Sequence, residues 1–592
     1  MQPTLGILMR IRENSTKYTD EIFTRLFRYL LREDIYYEAY EKLYANKGAS
    51  TKGIDDDTAD GFGETYVKTL IAELRDGSYR AKPVKRLYIP KENGKMRPLG
   101  IPSFRDKLLQ EVIRQILQAI FEPTFSNNSH GFRPHRSCHT CLKQLKNEFT
   151  GAIWFIEGDI KGCFDNIDHE VLIEILQRKI KDSKFINIIR QFLKAGYVED
   201  WIYNPTQSGT PQGGILSPIL ANIYLNELDK KVADIKKKFD KPRSAGTTDA
   251  YLEKQKEIQR LSSKLRKEKN ELQRKILLAN LKKCKQDLRK IPCTLQDNKR
   301  LIYVRYADDW LIGICGTKMD CEGIKEQIGS YLKDVLKLEL SEEKTLITHS
   351  SERIRFLGYD IRVRRSQAVK GLKNGNKKRT LNYRVELLVP LEEKITKYLF
   401  ARGIVEQTAD GKLKSVHRSH FLRLSDCEIV ERYNAEIRGI CNYYRLAVNY
   451  YKLSYFCYLM EYSCLRTLAE KHKTKISKIW SKYRHGKTWA IPYMTKAGVN
   501  HVRIVKTADC KNDNFYDTTP PTGKISTRIT IRSRLETRVC QLCGIKKAEP
   551  CEIHHVGSLK KLGNSLWEKV MKKNRRKTLV VCRHCHASVI HG

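Results

Sequence analysis

The chain has 592 residues, too many for one ordinary hydrophobic core, so its length predicts several domains. It carries 111 Lys plus Arg against 68 Asp plus Glu, a formal net charge of +43 at pH 7, and 41% of its residues are hydrophobic. This balance excludes a merely disordered basic tail and favours a folded protein with a polyanionic partner, although histones, ribosomal proteins and membrane-surface proteins are basic too.

The N-terminus and the cysteine content bear on the compartment. The first residues already include Arg10, Arg12 and Glu13, and no apolar run reaches the roughly 18 residues of a membrane span. We therefore expect a cytoplasmic protein without a membrane partner. The 17 cysteines fit free thiols plus a metal site better than a disulfide framework.

Local patterns predict the elements of the N-terminal part. Helical spacing of apolar and aromatic residues over 21–44 is followed by a loop at 46–61 that is rich in Gly, Ser, Thr and Asp. Residues 83–102 alternate apolar stretches with turn residues, which predicts a β-hairpin. The short apolar run 154–160 predicts a strand that turns into a helix, and this places Asp159 at the strand end.

The middle of the chain contains an insertion and a second hairpin. A Gly-rich turn at 209–214 precedes a helix, and residues 230–299 are dense in charge with spaced Leu and Ile, which predicts an inserted helical hairpin. Two apolar strands, 301–306 and 310–315, flank the tight turn 307–309 and predict a β-hairpin.

The C-terminal part changes character twice. After Ile361 the periodicity becomes helical, with a basic loop at 370–378 and an aromatic-rich stretch at 433–462, and we expect a separate helical domain. Residues 485–527 are Lys-rich and punctuated by Gly and Pro without a strong period, and a small Cys/His cluster follows from 540 to 591.

Three aspartates suggest a metal site. An Asp-Asp pair in a surface turn is common, but Asp308 and Asp309 lie between apolar strands, where two like charges are costly unless a cation neutralises them. Asp159, at the end of another apolar strand, strengthens the case. Nucleotidyl transfer uses two Mg²⁺ ions about 3.5–4 Å apart, and carboxylates are the hard ligands that hold them.

The order of several short blocks resembles the fingers and palm of reverse transcriptases. These blocks are RPLGIP (97–102), HGFRP (130–134), FIEGDIKGCFD (155–165), GTPQGG (209–214), YADD (306–309), LSEEKT (340–345) and FLGY (356–359). The resemblance implies an RNA-directed DNA polymerase in which Asp159 and Asp308 bind the two Mg²⁺ ions and Asp309 supports them. It also makes the Ile160 carbonyl a candidate backbone ligand.

The same resemblance assigns substrate contacts. Phe164 falls at the position of an aromatic gate that excludes the ribose 2′-OH, and an ordinary core aromatic is the alternative. Lys91 and Arg97 are candidates to hold the triphosphate. Lys344 is a candidate to hold it too or to protonate the pyrophosphate, and Gln212 to let the backbone approach the nascent base pair. For these last four, a solvated or structural residue is the alternative.

Over essentially the whole chain the sequence resembles group II intron-encoded proteins, multifunctional reverse transcriptase/maturases with a C-terminal HNH endonuclease. Residues 46–50 (NKGAS) and 53–55 (GID) match the leading block of that family, and 438–444 and 468–473 suggest its maturase region, domain X. The aromatics there also fit a plain helical core, and both explanations can hold. The resemblance implies RNA-binding side chains in this region: Arg438, Lys471, Lys473 and Lys475.

The resemblance implies a multidomain α+β fold. We expect a right-hand polymerase with an antiparallel palm sheet, an α-helical thumb and a small zinc-bound ββα-metal HNH domain. The expected parts are an N-terminal extension (1–80), reverse transcriptase fingers and palm (81–365) with a helical insertion at about 230–300, a thumb/maturase domain X (366–484), a DNA-binding region (485–535) and the HNH endonuclease (536–592).

Two CxxC knuckles near the C-terminus predict a structural zinc site. Cys540 and Cys543 form one knuckle and Cys582 and Cys585 the other, a spacing that lets four thiolates close a tetrahedron around Zn²⁺. A domain of about fifty residues gains much of its stability from such a site. A zinc ribbon that only binds DNA is the alternative to an enzyme.

Paired histidines beside the knuckles resemble an HNH endonuclease, in which one metal ion stabilises the scissile phosphate and a histidine deprotonates water. The resemblance implies His555 as general base and His554 and His586, with His591, as ligands of one Mg²⁺. Thr578 stands at the usual position of the name-giving Asn. The orientation of His555 therefore stays open, and a backbone carbonyl elsewhere is one way to provide it.

Together these resemblances imply a ribonucleoprotein that contains group II intron RNA, acts on a double-stranded DNA target and uses dNTPs. The protein helps the intron to splice, the RNA inserts into one strand, the HNH domain nicks the other, and the new 3′-OH primes DNA synthesis. We expect it in the bacterial cytosol or at the nucleoid, and a homodimer stays open.

Two other functions compete with this one. A splicing cofactor with inactive polymerase and nuclease is disfavoured by the intact carboxylates and the paired histidines. A non-intron reverse transcriptase of a defence or diversity-generating system is disfavoured by the match to domain X and the terminal Cys/His cluster.

Overall fold

The computed structural model describes residues 3–592 apart from 91–93, 95, 200–201, 207, 210–212, 242–246, 292–298, 367, 372–376, 380–381, 496–497 and 511–529. Two predicted substrate contacts, Lys91 and Gln212, and a large part of the predicted DNA-binding region lie outside the described residues. The described residues form a mixed α/β structure of several domains, and its sheets are antiparallel apart from one short parallel pair.

The helices, in chain order, are α1 (Thr4–Lys17), α2 (Phe27–Leu30), α3 (Glu33–Leu43), α4 (Glu64–Asp76), α5 (Phe104–Phe121), α6 (Cys138–Glu148), α7 (His169–Gln177), α8 (Ser183–Lys194), α9 (Ser217–Phe239), α10 (Asp249–Lys267), α11 (Glu271–Leu288), α12 (Lys318–Asp334), α13 (Lys397–Ala401), α14 (Asp426–Tyr443), α15 (Leu453–Lys471), α16 (Ile476–Lys482), α17 (Ile531–Glu536) and α18 (Leu566–Asn574).

The strands are β1 (Phe62–Gly63), β2 (Val84–Pro90), β3 (Met96–Ile101), β4 (Trp154–Gly158), β5 (Tyr197–Glu199), β6 (Ile202–Asn204), β7 (Arg300–Tyr306), β8 (Asp309–Cys315), β9 (Ile347–His349), β10 (Ile354–Phe356), β11 (Tyr359–Val363), β12 (Val369–Gly371), β13 (Lys377–Arg379), β14 (Val385–Leu388), β15 (Val405–Gln407), β16 (Leu413–Ser415), β17 (Arg484–His485), β18 (Thr488–Thr495), β19 (Gly498–Arg503), β20 (Glu552–His555) and β21 (Thr578–Val581).

A four-stranded sheet, the palm sheet, has the order β7-β8-β4-β9 and lies between two hydrophobic cores. Because successive side chains of a strand point to opposite faces, Leu301 and Tyr303 enter one core while Ile302 and Val304 enter the other. Burial on both faces explains why β7 and β8 are nearly continuous apolar runs in the sequence. Because β7 and β8 are packed on both faces, the turn that joins them is held in a fixed position.

The predicted insertion contains two helices, α10 and α11, which pack against each other as a hairpin. α10 has no buried residue, and α11 buries only Leu281 and Cys284. The hairpin therefore presents mostly charged surface.

The expected change to helix after Ile361 is wrong for the segment up to Leu388. β11 continues to Val363 and pairs with β14, because its alternate apolar residues need a second strand to be buried. The first helical segment after this sheet is a π-helix, Leu391–Thr396, which leads directly into α13. Beyond α16, β17, β18 and β19 form a three-stranded sheet inside the region where the sequence shows no period.

The C-terminal domain shares a sheet with the N-terminal extension. β20 pairs with β21, and β1 pairs with the other edge of β20, with Phe62 opposite Ile553. Phe62 is fully buried and stacks on Tyr40, with ring centroids 4.0 Å apart. A Cβ atom at Gly63 would lie 2.9 Å from the carbonyl oxygen of Cys551, so a glycine is needed for this approach. The sheet order is therefore β1-β20-β21.

Among the described residues, no helix combines the length and the apolar character needed to cross a membrane.

Candidate functional sites

The three candidate catalytic aspartates meet at one edge of the palm sheet. Asp308 lies in the turn between β7 and β8, and Asp309 is the first residue of β8. Gly158, the last residue of β4, pairs with Trp310, so Asp159 follows directly beside Asp309. A Cβ atom at Gly158 would lie 2.0 Å from the Trp310 ring, and the glycine thus allows this indole to lie flat against β4. The structure therefore brings together the three residues that the sequence predicted.

The carboxyl groups of this site repel one another. Asp309 remains accessible from the cleft, yet many protein atoms surround its carboxyl, and this desolvation, followed by the like charges of Asp308 and Asp159, raises its pKa to about 7. Desolvation and the charge of Asp159 also raise the pKa of Asp308. A divalent cation between the three groups would remove this repulsion, so their chemistry fits Mg²⁺.

Two of the predicted substrate contacts lie beside the aspartates. The Lys344 ammonium donates to Asp159 Oδ2 at 2.6 Å, and its side chain is otherwise exposed. Arg97, exposed on β3, is close enough for its charge to favour the ionised form of Asp308. The site thus has cationic groups from two elements, β3 and the segment that precedes β9.

The remaining candidates of the palm have mixed surroundings. Phe164 is half-buried and meets the exposed Phe132 edge to face, with centroids 6.4 Å apart, so it lies between the core and the cleft.

The backbone at Ile160 runs beside the segment around Leu340, where Ser341 N–H donates to the carbonyl of Asp159. The Asp159 carbonyl and the Lys161 N–H both bond to this segment. Because backbone groups of an extended chain point alternately to its two sides, the Ile160 carbonyl points to the opposite side, that of β8.

A buried ion pair that the sequence did not predict supports the catalytic turn. The Arg305 guanidinium donates to both carboxylate oxygens of Asp229, at 2.8 and 2.6 Å, and the two side chains are 1% and 0% exposed. Arg305 also donates to the carbonyl of Ala307 at 2.8 Å, which holds Ala307 at φ 57°, a conformation that is uncommon for a residue with a side chain. Loss of one partner would cost about 3–5 kcal/mol, because the other charge would stay buried.

The HGFRP block packs against the same turn. A Cβ atom at Gly131 would lie 2.4 Å from the amide nitrogen of Ala307, which explains a glycine at this position. The Gly131 carbonyl accepts a hydrogen bond from Asn222 at 2.8 Å, and His130 N–H donates to the carbonyl of Arg305. The blocks that are separate in the sequence therefore form one support for Asp308.

The four knuckle cysteines also meet. The Sγ atoms of Cys540, Cys543, Cys582 and Cys585 all lie within 4.8 Å of one another, and we call this group the four-cysteine cluster. Burial would raise the pKa of Cys540, but backbone N–H groups, including that of Cys543, lower it to about 7. Four thiols at this separation with a low-pKa member fit a structural Zn²⁺ ion.

Three of the four predicted histidines form a second cluster, and an unpredicted aspartate joins them. One ligand atom of each of Asp60, His554, His586 and His591 lies within 4.8 Å of the others, and we call this group the His-Asp cluster. Asp60 Oδ1 is 3.0 Å from His554 Nδ1 and 3.3 Å from His586 Nε2, and Asp60 Oδ2 is 2.8 Å from His591 Nε2. Burial would raise the pKa of Asp60, but the close approach of the His554 and His586 rings holds it well below its usual range.

The fourth histidine, His555, lies apart from this cluster. Its ring meets the Tyr44 ring edge to face and its Nε2 is 3.2 Å from the Tyr44 carbonyl oxygen, which can only accept. The proton of a neutral His555 is then on Nε2, and Nδ1 is the nitrogen that can take a proton. Burial lowers the pKa of His555, which favours this neutral form. The Tyr44 carbonyl thus provides the orientation that the sequence left open.

Thr578, at the position where the resemblance to HNH endonucleases implied an asparagine, lies across from His555 in the β20-β21 pair. Its hydroxyl and its carbonyl both accept hydrogen bonds from Arg534, at 2.8 and 2.9 Å. A cavity of about 510 Å³ opens here between α3 and the C-terminal domain, and its lining includes Arg575, Arg576 and Lys577. This positive surface beside His555 suits a polyanion.

The predicted RNA contacts differ in availability. The Lys471 ammonium donates to Asp426 at 2.5 Å and to the Leu424 carbonyl at 2.7 Å, so it is engaged within the protein. Arg438 and Lys475 are exposed, and Lys473 is exposed with only Glu470 as a surface partner. Three of the four predicted side chains can therefore reach a ligand.

Three family models match successive parts of the chain. Residues 89–361 match the family described as reverse transcriptase (RNA-dependent DNA polymerase), 382–525 the type II intron maturase and 540–586 the AI2M/AI1M-like HNH endonuclease. These regions contain the palm aspartates, the domain X motifs and the four-cysteine cluster, respectively. The match to an intron maturase excludes the non-intron reverse transcriptase that competed with this function.

Known proteins match the chain over its full length. It is 54% identical over 599 residues to the group II intron-encoded protein LtrA of Lactococcus lactis subsp. cremoris, with 100% of both chains covered. It is 34% identical to a 91 kDa protein in the cob intron of Schizosaccharomyces pombe, over 98% of this chain and 72% of that protein. An apo telomerase structure from Candida tropicalis is 15% identical with a TM-score of 0.29, over 56% of this chain and 63% of that one, which is too low to add to the argument. The chain belongs to the group II intron-encoded proteins and is a reverse transcriptase, an intron maturase and an HNH endonuclease.

Proposed function

We propose that Asp159 and Asp308 are the ligands of two Mg²⁺ ions, with Asp309 as supporting carboxylate and the Ile160 carbonyl as a further ligand. Bound Mg²⁺ would activate the primer 3′-OH and neutralise the triphosphate. The observation that carries this proposal is the meeting of three mutually repelling carboxyl groups at one sheet edge. The right-hand arrangement of fingers, palm and thumb is part of the same proposal.

The residues around the aspartates select and hold the nucleotide. Arg97 and Lys344 bind the triphosphate from two sides of the site, and Lys91 assists them. Phe164, whose ring reaches the cleft beside Phe132, excludes a ribose 2′-OH. Gln212 lets the backbone approach the nascent base pair.

Residues 366–484 act as thumb and maturase domain X and bind group II intron RNA. Arg438, Lys473 and Lys475 contact its phosphates, while Lys471 stabilises the domain through its pair with Asp426. In this proposal the polymerase region begins at residue 81, domain X at 366, the DNA-binding region at 485 and the HNH endonuclease at 536.

In the C-terminal ββα-metal domain, His554, His586 and His591 hold one Mg²⁺ that would stabilise the scissile phosphate. His555, oriented by the Tyr44 carbonyl, takes the proton of the attacking water on Nδ1. Arg575, Arg576 and Lys577 attract the phosphates of the DNA target towards this base.

The complete reaction couples both sites in a ribonucleoprotein: after insertion of the RNA into one strand, the HNH domain nicks the other, and its 3′-OH primes cDNA. The test uses the chain assembled with its intron RNA and a duplex target labelled on the second strand. With dNTPs the nicked fragment should lengthen into cDNA, and without dNTPs it should accumulate. Lengthened product that does not begin at the nick would contradict the coupling.

The four-cysteine cluster should hold about one Zn²⁺ per chain, measured by metal analysis of the full-length protein. Cys582→Ser should lose this zinc and abolish nicking, because a structural zinc contributes on the order of 10 kcal/mol to the folding of a small domain. DNA synthesis on a primed RNA template should persist, because the palm aspartates and the groups that support their turn, Arg305 and Gly131, all lie outside the C-terminal domain.

Cys551→Ala is the matched control for the zinc prediction. Cys551 is buried near the cluster but is not one of its four members, so the zinc should remain. An equal loss of zinc from both variants would contradict the ligand assignment.

A further inference from the structure

The His-Asp cluster contains a donor from outside the C-terminal domain. Asp60 belongs to the loop before β1, and Asp60 Oδ1 accepts a hydrogen bond from the backbone N–H of His555 at 2.7 Å. The loop is held in place on both sides: Tyr40 donates to the Ala59 carbonyl at 2.7 Å, and Gly61 N–H donates to the Ile553 carbonyl at 2.9 Å. The carboxylate is thus fixed against the three histidines.

His554 is the clearest sign that the cluster is suited to a metal ion. Its side chain is 5% exposed, and neither ring nitrogen has a hydrogen-bond partner among the described residues. His554 Nδ1 lies 3.0 Å from Asp60 Oδ1, but the two atoms are not aligned as a hydrogen bond. This arrangement suits two ligands of the same metal ion. Neighbouring donors around an octahedral metal ion with bonds of about 2.1 Å are about 3.0 Å apart, which agrees with this distance.

His586 is oriented in the way that is usual for metal-binding histidines. Its Nδ1 bonds to Glu552 Oε2 at 3.0 Å, which leaves Nε2 directed into the cluster, 3.3 Å from Asp60. A carboxylate behind a ligating histidine fixes its ring and its tautomer. Glu552 therefore supports the site from outside, and Asp60 lies on its inner side.

The identity of the fourth donor matters for the choice of metal. Three neutral imidazoles alone favour Ni²⁺, Co²⁺ or Zn²⁺, whereas Mg²⁺ and Mn²⁺ prefer carboxylate oxygen. A site of three histidines would bind hard cations weakly, and one carboxylate adds both the preferred atom type and a negative charge.

We infer that Asp60 of the N-terminal extension is a direct ligand of the endonuclease metal ion and raises the affinity of that site for hard divalent cations more than its affinity for softer ones. The inference rests on the proposed roles of His554, His586 and His591. It assigns part of the nuclease centre to the other end of the chain, so the C-terminal domain alone lacks a complete site.

The test measures metal binding by the full-length protein in an Asp308→Asn background, which weakens the palm site. Mn²⁺ binding is followed by electron paramagnetic resonance and Ni²⁺ binding by calorimetry. Asp60→Asn should weaken Mn²⁺ binding by at least about tenfold and Ni²⁺ binding by about threefold or less. Nicking by the ribonucleoprotein should then need correspondingly more Mg²⁺.

Asp57→Asn is the matched control. Asp57 lies in the same loop and accepts from Tyr66 and Arg105 N–H, away from the cluster, so both metal affinities should stay unchanged. Unchanged Mn²⁺ affinity of the Asp60→Asn protein would overturn the inference. Equal losses of Mn²⁺ and Ni²⁺ affinity would overturn it too, because they would indicate that Asp60 only holds the loop against the C-terminal domain.

His586→Ala separates this inference from the proposed function. If His586→Ala binds Mn²⁺ and nicks DNA normally, the assignment of the whole nuclease centre is wrong. If it loses both while Asp60→Asn keeps its Mn²⁺ affinity, only the role of Asp60 is wrong.

Discussion

Asp308→Ala should reduce RNA-templated DNA synthesis by about a thousandfold or more, while splicing assistance stays nearly intact. The variant loses a carboxylate from the turn that Arg305 and Gly131 support, and Asp159 and Asp309 alone hold metal poorly. The measurement is primer extension with dNTPs on an RNA template, beside a splicing assay with the same protein.

The electrostatics of the site make this a sharp test. Desolvation and, after it, the charge of Asp308 raise the pKa of Asp309; removing Asp308 removes this repulsion, so the thermal unfolding temperature should not fall. Asp334→Ala, an exposed change at the end of α12, is the control and should extend primers normally. Polymerisation by Asp308→Ala at more than about a tenth of the wild-type rate would mean that the palm assignment is wrong.

His555→Ala should slow nicking of the second DNA strand by about a hundredfold to ten-thousandfold, the range that a general base contributes. Insertion of RNA into the first strand should continue, because that step does not use the HNH domain. The assay follows both labelled strands of a duplex target incubated with the assembled ribonucleoprotein.

His584→Ala is the control for this prediction, since His584 is exposed in the same domain. Normal nicking by His555→Ala would place the base on another residue. Loss of RNA insertion as well would indicate a failure of assembly and would contradict a purely chemical role.

The palm site could be predicted because its information is local. Each aspartate is preceded or followed by an apolar strand, and the order of the blocks around Asp159 and Asp308 identifies their partners. The supports of the turn could not be predicted, because the pair of Arg305 with Asp229 joins residues 76 positions apart. In the sequence, Asp229 is one more polar residue on a long helix.

The His-Asp cluster could be predicted only in part, for a related reason. The histidines and cysteines lie close together in the chain, so their spacing identifies them. Asp60 lies 495 residues before His555, and the surrounding loop is rich in other polar residues. Only tertiary packing distinguishes Asp60 from Asp57.

Two other features depend on packing that the sequence does not reveal. Lys471 is predicted to bind RNA, and in the structure its ammonium pairs with Asp426, a contact that no local pattern indicates. The strands β18 and β19 were missed because Pro492 and Gly498 interrupt the apolar pattern, although the pair forms a regular antiparallel ladder.

The shared sheet β1-β20-β21 bears on how such proteins exchange parts. Recombination or protein engineering can join the C-terminal domain of one family member to the rest of another. Such an exchange transfers β20 and β21 but not β1 or the Tyr44 carbonyl, which belong to the N-terminal extension. The graft succeeds only where the resident Phe62-Gly63 edge fits the incoming strand. The C-terminal domain and the N-terminal segment that pairs with it are therefore one structural unit made of two separate parts of the chain. We expect substitutions in β20 to be accompanied by substitutions in the segment around Phe62 and Gly63.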